Sequence, residues 1–184
     1  MITMLAYVFI HGPLAGHDVE DYTSRLARFH QALIAAPPPG FIESWVWEMA
    51  GGPLGAAFED WYLVEDWTAL GALNQAAVTG QRKAPHDEVA PLAAKGAGAV
   101  YELVHGTPNT TAKYRTRVAK PAGVTYETFQ RQLERAAGTN GTVWKRQMVL
   151  GPDLEFLIDS TSPPAEGLLD HKAEITAMQV VHPS

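Results

Sequence analysis

The chain has 184 residues, of which 46% are hydrophobic and 18% are charged, a composition typical of a globular rather than a disordered protein. The formal net charge is -6 and no long run of lysine or arginine is present, which disfavours a nucleic-acid surface. There is no cysteine, which excludes disulfides, thiolate nucleophiles and cysteine-rich metal sites.

The first predicted element is a β-strand over the apolar run Met4–Ile10, which ends at His11-Gly12-Pro13. No basic segment precedes this run, and the break at residue 11 makes it too short for a signal peptide or a membrane span. We therefore expect a buried strand in a cytoplasmic protein that has no membrane partner.

An amphipathic helix is predicted next, with Asp18 as its N-cap and an apolar stripe at helical spacing from Tyr22 to Leu33. Three prolines at positions 37–39 end this helix, because proline interrupts the hydrogen bonds of the backbone. The stripe predicts that one face of the helix packs on a sheet.

Residues 41–67 are the most distinctive stretch, since they hold four of the five tryptophans. Two aromatic-rich runs, separated by glycine, proline and alanine, predict a β-hairpin with large side chains on both faces. One face is expected to carry Trp45, Trp47 and Met49, then Trp61, Leu63 and Trp67. The other is expected to carry Val46 and Glu48, then Phe58, Tyr62 and Val64. One face should meet helices, and the other needs a second sheet.

The first half closes with helical segments and a strand. A short helix is predicted over 69–78 with Thr68 as its cap, and a second helical piece over 87–95. A strand is predicted over 100–104, and the glycines at 96 and 98 are interpreted as a turn before it.

A polar, turn-rich linker at 106–112 divides the chain into a first unit, 1–105, and a second unit, 113–184. The second unit repeats the order of the first, and Trp144 falls where Trp45 falls in the first unit. Its predicted elements are a strand over 114–118, a helix capped by Thr125, a hairpin of 143–150 and 155–160, and a last strand over 175–181. Only a short helix is expected between 162 and 172.

A repeated βαββαβ unit is a ferredoxin-like motif, in which two helices cover one face of an antiparallel sheet. Two tandem ferredoxin-like units predict an α+β fold whose antiparallel sheets pack as an α/β barrel. This order, with its aromatic second and third strands, resembles the dimeric α/β-barrel superfamily. The resemblance implies a relation to cofactor-free antibiotic-biosynthesis monooxygenases, small isomerases and dehalogenases, haem-handling relatives of chlorite dismutase, or stress-responsive proteins. It implies no single reaction, because no catalytic pattern of these groups is matched residue by residue.

The first functional hypothesis is a protein that binds an apolar or aromatic small molecule, as a cofactor-independent monooxygenase or isomerase would. No cofactor is expected. Trp45 and Trp47 would pack against the substrate, with Glu48 and Tyr62 as further substrate-binding residues. The tryptophans could equally fill a core and contact no ligand.

Charged residues inside predicted strands supply the candidate chemistry. Arg115 and Arg117 share one strand face and would hold a carbonyl or acid group, opposite acidic residues such as Glu48 and Asp60 in the first unit. His86, beside two acids, would transfer protons. The alternatives are an outward-facing basic rim and a solvated loop histidine.

Two other hypotheses stay open. One is a haem-binding or haem-degrading protein with His86 or His171 as the axial ligand, and the other is a non-catalytic structural or sensing module. No two of the seven histidines have the spacing of a local metal motif, and His11 and His105 are expected at opposite ends of the first sheet. A homodimer through the more thinly covered second unit is expected.

Overall fold

The computed structural model describes residues 4–51, 58–151, 153–164 and 173–181. Its elements follow one another along the chain in two similar series. The first is β1 (Leu5–Pro13), α1 (Val19–Ala35), β2 (Phe41–Met49), β3 (Phe58–Val64), α2 (Trp67–Ala77), α3 (Lys83–Val89) and β4 (Ala93–His105). The second is β5 (Tyr114–Val118), α4 (Tyr126–Ala137), β6 (Thr142–Leu150), β7 (Phe156–Ser160) and β8 (Ala173–Val181).

The eight strands form one closed antiparallel barrel in the order β1-β3-β2-β8-β5-β7-β6-β4. Within each series the strands lie in the order fourth, first, third, second, which is the order of a ferredoxin-like sheet. Two seams join the halves: β2 pairs with β8, and β4 pairs with β6. The predicted α+β fold, two ferredoxin-like halves forming an α/β barrel, is therefore confirmed.

Side chains alternate between the inside of the barrel and its outer, helix-covered face. Trp45, Trp47 and Met49 share the interior with Trp61 and Trp144, as the period-two pattern predicted for the first three. The outer face of the first half packs under α1, α2 and α3, and that of the second half packs under α4. The described interior thus holds an apolar cluster of aromatic and aliphatic side chains.

The structure corrects the prediction after the hairpin. Helix α2 begins at Trp67 and is capped by Asp66, whose carboxylate accepts from the amide of Ala69, so Thr68 is not the cap. Trp67 is 49% exposed and does not share a sheet face with Trp61. Strand β3 ends at Val64, three residues before the Trp67 that the aromatic pattern included, because Asp66 caps the first turn of α2.

Strand β4 is also longer than predicted. It begins at Ala93, whereas the second helical piece over 87–95 is in fact α3, followed by one 3-10 turn at Ala90–Leu92. Gly96 and Gly98 lie within the strand and do not form a turn. The glycines are needed there because the rings of Phe9 and Tyr7, on the neighbouring β1, cover them.

Other predictions concern the ends and the linker. Asp18 and Thr125 cap their helices as predicted. Because β1 and β4 are antiparallel, His11 and His105 lie at opposite ends of the sheet. The proposed linker, 106–112, lies between β4 and β5.

The helix expected over 162–172 lies mostly outside the described residues. Among the helices within the described ranges, none has the length and hydropathy to cross a membrane.

Candidate functional site

The residues predicted as one site lie on both faces of the barrel wall. Trp45, Trp47, Arg115 and Arg117 point into the barrel and are almost fully buried. The other three, Glu48, Tyr62 and His86, lie outside it. Glu48 is partly exposed on the outer face of β2, where it accepts from the side-chain amide of Gln179 on β8. The fold therefore brings together the tryptophans and the arginines, but not the whole predicted set.

Five charged residues form a network inside the barrel, which we call the inner network. Its members are Glu59, Arg115, Arg117, Asp153 and Asp159. Glu59 accepts from both arginines. Arg115 is bidentate to Asp159, with Nε at 2.7 Å from Oδ1 and Nη2 at 3.0 Å from Oδ2, and Arg117 Nε lies 3.3 Å from Asp153 Oδ1.

The inner network satisfies nearly all of its charged atoms. Burial by itself would raise the pKa of Glu59, but Arg117, Arg115 and a hydrogen bond from Trp61 outweigh it and lower that pKa to about 2. The guanidinium of Arg115 lies 4.1 Å from the centre of the Trp61 ring, a cation–π contact. Of the guanidinium nitrogens, Arg117 Nη1 lacks an acceptor within the described residues. These arginines are occupied by carboxylates, so the network fixes the two halves of the barrel to each other.

A second polar cluster lies on the outer face, beneath α1, and we call it the outer network. It is centred on Asp60, the sequence neighbour of Glu59, and comprises Asp60, His11, His30, Tyr22, Tyr62 and Ser44. All six are buried, and the two imidazoles have no exposed surface. Strands β1, β2 and β3 and helix α1 each contribute at least one member.

The distances within the outer network are those of hydrogen bonds and ion pairs. Asp60 Oδ1 lies 3.0 Å from His11 Nε2 and 3.6 Å from His30 Nε2. The Tyr62 hydroxyl donates to Asp60 Oδ2 at 3.1 Å, and the Tyr22 hydroxyl lies 2.6 Å from His11 Nδ1. Ser44 Oγ lies 2.9 Å from His30 Nδ1. One carboxylate thus holds two imidazoles and one phenol.

The three polar atoms at the centre of the outer network lie close together, but they are poorly aligned for hydrogen bonds. Asp60 Oδ1, His11 Nε2 and His30 Nε2 are all buried, and none makes an aligned hydrogen bond with a partner in the described structure. Buried polar atoms are nearly always paired, and those left over often mark sites of chemistry. Three such atoms face one another here, which makes the outer network the candidate site.

Electrostatics fix the charge states around Asp60. Burial would raise the pKa of the carboxyl, but His11 and His30 outweigh burial and hold that pKa well below its usual range. Burial and the charge of Asp60 raise the pKa of Tyr22, and the same two causes raise the pKa of Tyr62. At neutral pH Asp60 is a carboxylate and both tyrosines are protonated donors.

Aromatic rings enclose the outer network in two stacked rows. In one row Phe9, His11 and Phe58 are nearly parallel, with centroid distances of 5.1 Å and 6.0 Å. In the other, Tyr62 stacks on His30 at 5.0 Å and on Tyr7 at 5.9 Å. Flat aromatic rings therefore pack on both imidazoles of the network.

His86 lies at the outer end of this layer, on α3. Its side chain is 30% exposed, its Nδ1 lies 3.2 Å from Asp87 Oδ1, and its ring meets the edge of Phe29 at 5.5 Å. Phe29 in turn meets the rings of His30 and Tyr62 edge-on. His86 is thus separated from Asp60 by at least one ring, while Tyr62 is in direct contact with it.

The sequence held partial signals for the outer network. Asp60 was noted as a charged residue within a predicted strand, and His30 follows Leu26 by four residues on the buried stripe of α1. His11 ends an apolar run. Nothing local shows that these three side chains meet, because they come from segments up to 49 positions apart.

The described residues present no cluster of metal ligands. Within the described ranges, no group of three histidine or acidic side chains is arranged to hold a metal ion. An open groove of about 540 Å³ runs along the outer side of α1, but its lining contains no histidine. His86 is bound to Asp87, and His171 lies outside the described residues.

Comparisons with known proteins show the fold. No family model and no curated protein sequence matches the chain. An anthrone oxidase-like protein of known structure is similar, with a TM-score of 0.61 and 12% identity over 99% of this chain and 92% of that one. A proposed chlorite dismutase has a TM-score of 0.59 and 11% identity over 100% and 96%. A proposed monooxygenase from Fusobacterium nucleatum has a TM-score of 0.58 and 10% identity over 97% and 92%. The chain therefore has the fold of the dimeric α/β-barrel superfamily, built here from one polypeptide.

Proposed function

We propose that the protein binds an apolar or aromatic small molecule and transfers a proton from it, as a cofactor-independent monooxygenase or isomerase does. The observation that carries this proposal is the outer network, where Asp60 Oδ1 and two imidazole nitrogens face one another without aligned hydrogen bonds. Asp60 is ionised at neutral pH, so it can accept a proton from a substrate that reaches it, and the adjacent imidazoles can share that proton.

Each member of the network has a role in this proposal. Asp60 or His11 accepts the proton, and the other of the two stabilises the charge that results. The Tyr62 hydroxyl orients Asp60 through Oδ2, and the Tyr22 hydroxyl, 2.6 Å from His11 Nδ1, fixes the orientation of the His11 ring. His30 Nε2 lies 3.6 Å from the same oxygen, Asp60 Oδ1, and can share the proton that this oxygen accepts.

The monooxygenase form of the proposal can be written as a balanced reaction. Removal of a proton from an activated carbon, such as the CH2 of anthrone, gives an enolate that reduces O2 without a metal. The overall change is anthrone + O2 → anthraquinone + H2O, in which the carbon is oxidised and dioxygen is reduced. The structural likeness to an anthrone oxidase-like protein and to a proposed monooxygenase supports the choice of this test reaction.

The residues first predicted for the site take different roles here. We assign Arg115, Arg117, Trp45 and Trp47 to the stability of the barrel, since the arginines are paired with carboxylates and the tryptophans are enclosed in the apolar cluster. Tyr62 keeps a place in the site. His86 and Glu48 lie outside the network, so we give them no chemical step.

The first experiment is native mass spectrometry of the purified protein together with its absorption spectrum, followed by O2 uptake and anthraquinone formation with anthrone. We expect a mass without haem, and turnover that Asp60→Asn reduces by about 10²- to 10⁴-fold, the usual value of general base catalysis. The matched control is Glu88→Gln, an exposed acid that faces Arg28. A Soret band would favour the haem hypothesis instead. Equal turnover in Asp60→Asn and the parent protein would remove Asp60 from the chemistry.

Two predictions about the whole molecule stay predictions. The barrel closes within one chain, so a homodimer is not needed to cover strand edges, and the same native mass spectrum measures the oligomeric state. The cytoplasmic location is likewise a proposal from the sequence.

A further inference from the structure

Two aromatic rings of β1 lie across a strip of glycines on β4. In the register, Tyr7 is opposite Val100 and Phe9 is opposite Gly98. Each ring leans over the glycine two positions earlier: a Cβ at Gly96 would lie 3.0 Å from the Phe9 ring, and one at Gly98 would lie 3.4 Å from the Tyr7 ring. The strip is therefore shaped to accept flat rings against the backbone.

Phe9 is the ring of this pair that lies next to the proposed base. It stacks on His11 at 5.1 Å with an angle of 22° between the planes, and on the β3 side its residue is directly opposite Asp60. Unlike His11 and Asp60, Phe9 is partly exposed. Solvent thus reaches a ring whose other face covers the buried network.

We propose that the Phe9 ring occupies the position of a planar aromatic ligand and that Phe9 swings away from Gly96 when the ligand binds. The inference rests on the proposed function and adds the place and class of the ligand. A ring in this position stacks on His11 and rests on the glycine strip. The ligand class is an aromatic compound that carries a hydroxyl or another acidic proton at its edge.

The acidic proton follows from the unpaired atoms beneath Phe9. Asp60 Oδ1 is a charged acceptor without an aligned donor, so a hydroxyl that reaches it gains a charge-assisted hydrogen bond. A ring without a donor gains only the stacking on His11. Phenol and benzene are therefore a matched pair of probes, since they differ in the hydroxyl alone.

The test measures phenol and benzene binding by isothermal titration calorimetry to the parent protein, Phe9→Ala and Phe9→Leu. Removal of the ring should strengthen phenol binding by at least about tenfold, because the competing side chain is gone. In Phe9→Ala, phenol should bind about tenfold more tightly than benzene, the value of one hydrogen bond to a charged group. The imidazole signals of His11 in NMR spectra should shift on binding, and those of His105 should not.

The control is Tyr126→Ala, which removes a partly exposed ring from α4 in the second half, where it meets Phe156. Phenol should bind this variant as weakly as the parent protein. If Phe9→Ala does not fold, Phe9→Leu keeps an apolar side chain there and should show a smaller gain of the same sign. Unchanged phenol affinity in the folded Phe9 variant, or binding without a shift at His11, would overturn the inference.

This test is independent of turnover. If phenol binds at His11 but no variant oxidises anthrone, the ligand position stands and the proposed reaction fails. If anthrone is oxidised in an Asp60-dependent manner but Phe9 variants bind phenol no better, the reaction stands and the proposed ligand position fails.

Discussion

Glu59 and Asp60 are neighbours in sequence, lie on the same strand and are both buried, yet their surroundings differ. Glu59 points into the barrel, where two arginines and the indole of Trp61 satisfy its oxygens. Asp60 points under α1, where Oδ1 is near two imidazoles but aligned with neither. The difference teaches that burial of a carboxylate does not indicate its role, whereas the state of its hydrogen bonds does.

The inner network also differs in what it joins. Glu59 comes from the first half of the barrel, and the other four members come from the second half, where two arginines and two aspartates balance one another in charge. The outer network is made entirely by the first half. We therefore expect damage to the inner network to appear in stability, and damage to the outer network to appear in binding and turnover.

The largest effect is expected from Glu59→Leu. This change leaves Arg115 and Arg117 buried with one carboxylate partner fewer each, and breaking a buried ion pair on one side costs about 3–5 kcal/mol. Urea unfolding measures the loss as a change in the free energy of unfolding. Glu48, a partly exposed acid on the outer face of β2, gives the control variant Glu48→Gln, which keeps an acceptor for Gln179 and should change stability by less than about 0.5 kcal/mol.

Asp60→Asn should destabilise the fold less than Glu59→Leu, by only about 1–2 kcal/mol, although it removes the proposed base. Asparagine keeps the shape and an acceptor for Tyr62. If Asp60→Asn destabilises the fold as much as Glu59→Leu does, the two networks have the same structural role, and the contrast drawn from their hydrogen bonds is wrong.

The dependence of stability on pH is a further effect, intermediate in size between those of the two substitutions. The pKa of Glu59 is lowered from the usual 4.5 to about 2, so the folded state binds this proton less readily than the unfolded state. Its contribution to stability is full above pH 5 and is lost as the pH falls towards 2, a change of about 3 kcal/mol. The lowered pKa of Asp60 acts in the same direction.

Urea unfolding at pH 7, 5, 4 and 3 checks this prediction. Glu59→Gln should show a shallower loss of stability with acid than the parent protein, because it has no proton to take up at that position. Parallel curves for the two proteins would mean that Glu59 has an ordinary pKa in the folded state.

The absence of native cysteine allows a direct test of access to the outer network. Phe9→Cys places one thiol in the partly exposed position on β1, and Val8→Cys places one thiol in the barrel interior. We expect a thiol reagent to modify the first at least about 100-fold faster, since the second needs opening of the core. Equal modification rates for the two thiols would show that the position of Phe9 gives solvent no access to the outer network.

The smallest effect concerns the contact between α1 and α3. Arg28 Nη2 lies 3.1 Å from Glu88 Oε2, and both side chains are about half exposed. A double-mutant cycle with Arg28→Ala and Glu88→Ala should give a coupling energy of about 0–1 kcal/mol. A larger coupling would mean that this pair holds α3 over the outer network.

Local patterns in the sequence predicted the fold well. Alternation placed Trp45, Trp47 and Met49 on one face, and two of three predicted helix caps, Asp18 and Thr125, are correct. The prediction failed at β4, where glycines normally indicate a turn. In β4 the glycines instead make room for the rings of Phe9 and Tyr7 on β1. Because β1 lies far from β4 along the chain, the sequence around the glycines carries no signal of this contact.

The site was less predictable for the same reason. The sequence left open whether Arg115 and Arg117 face inward, and only the pairing of β5 with β7 and β8 decides it. The outer network needs β1, β2, β3 and α1 at once, so no single segment carries its pattern. Spacing rules find ligands on one helix or strand, and this cluster has at most two members on any element.

The closure of the barrel has a consequence for folding. A single ferredoxin-like half ends in two unpaired strands, and for the first half these are β2 and β4. Until β8 and β6 arrive, β2 would present its backbone together with Trp45 and Trp47 to any other chain. The β2–β8 seam is short, with four residue pairs from Val46 to Met49. At high concentration β8 of a second molecule can fill the same place, which would give an exchanged dimer that keeps every native contact.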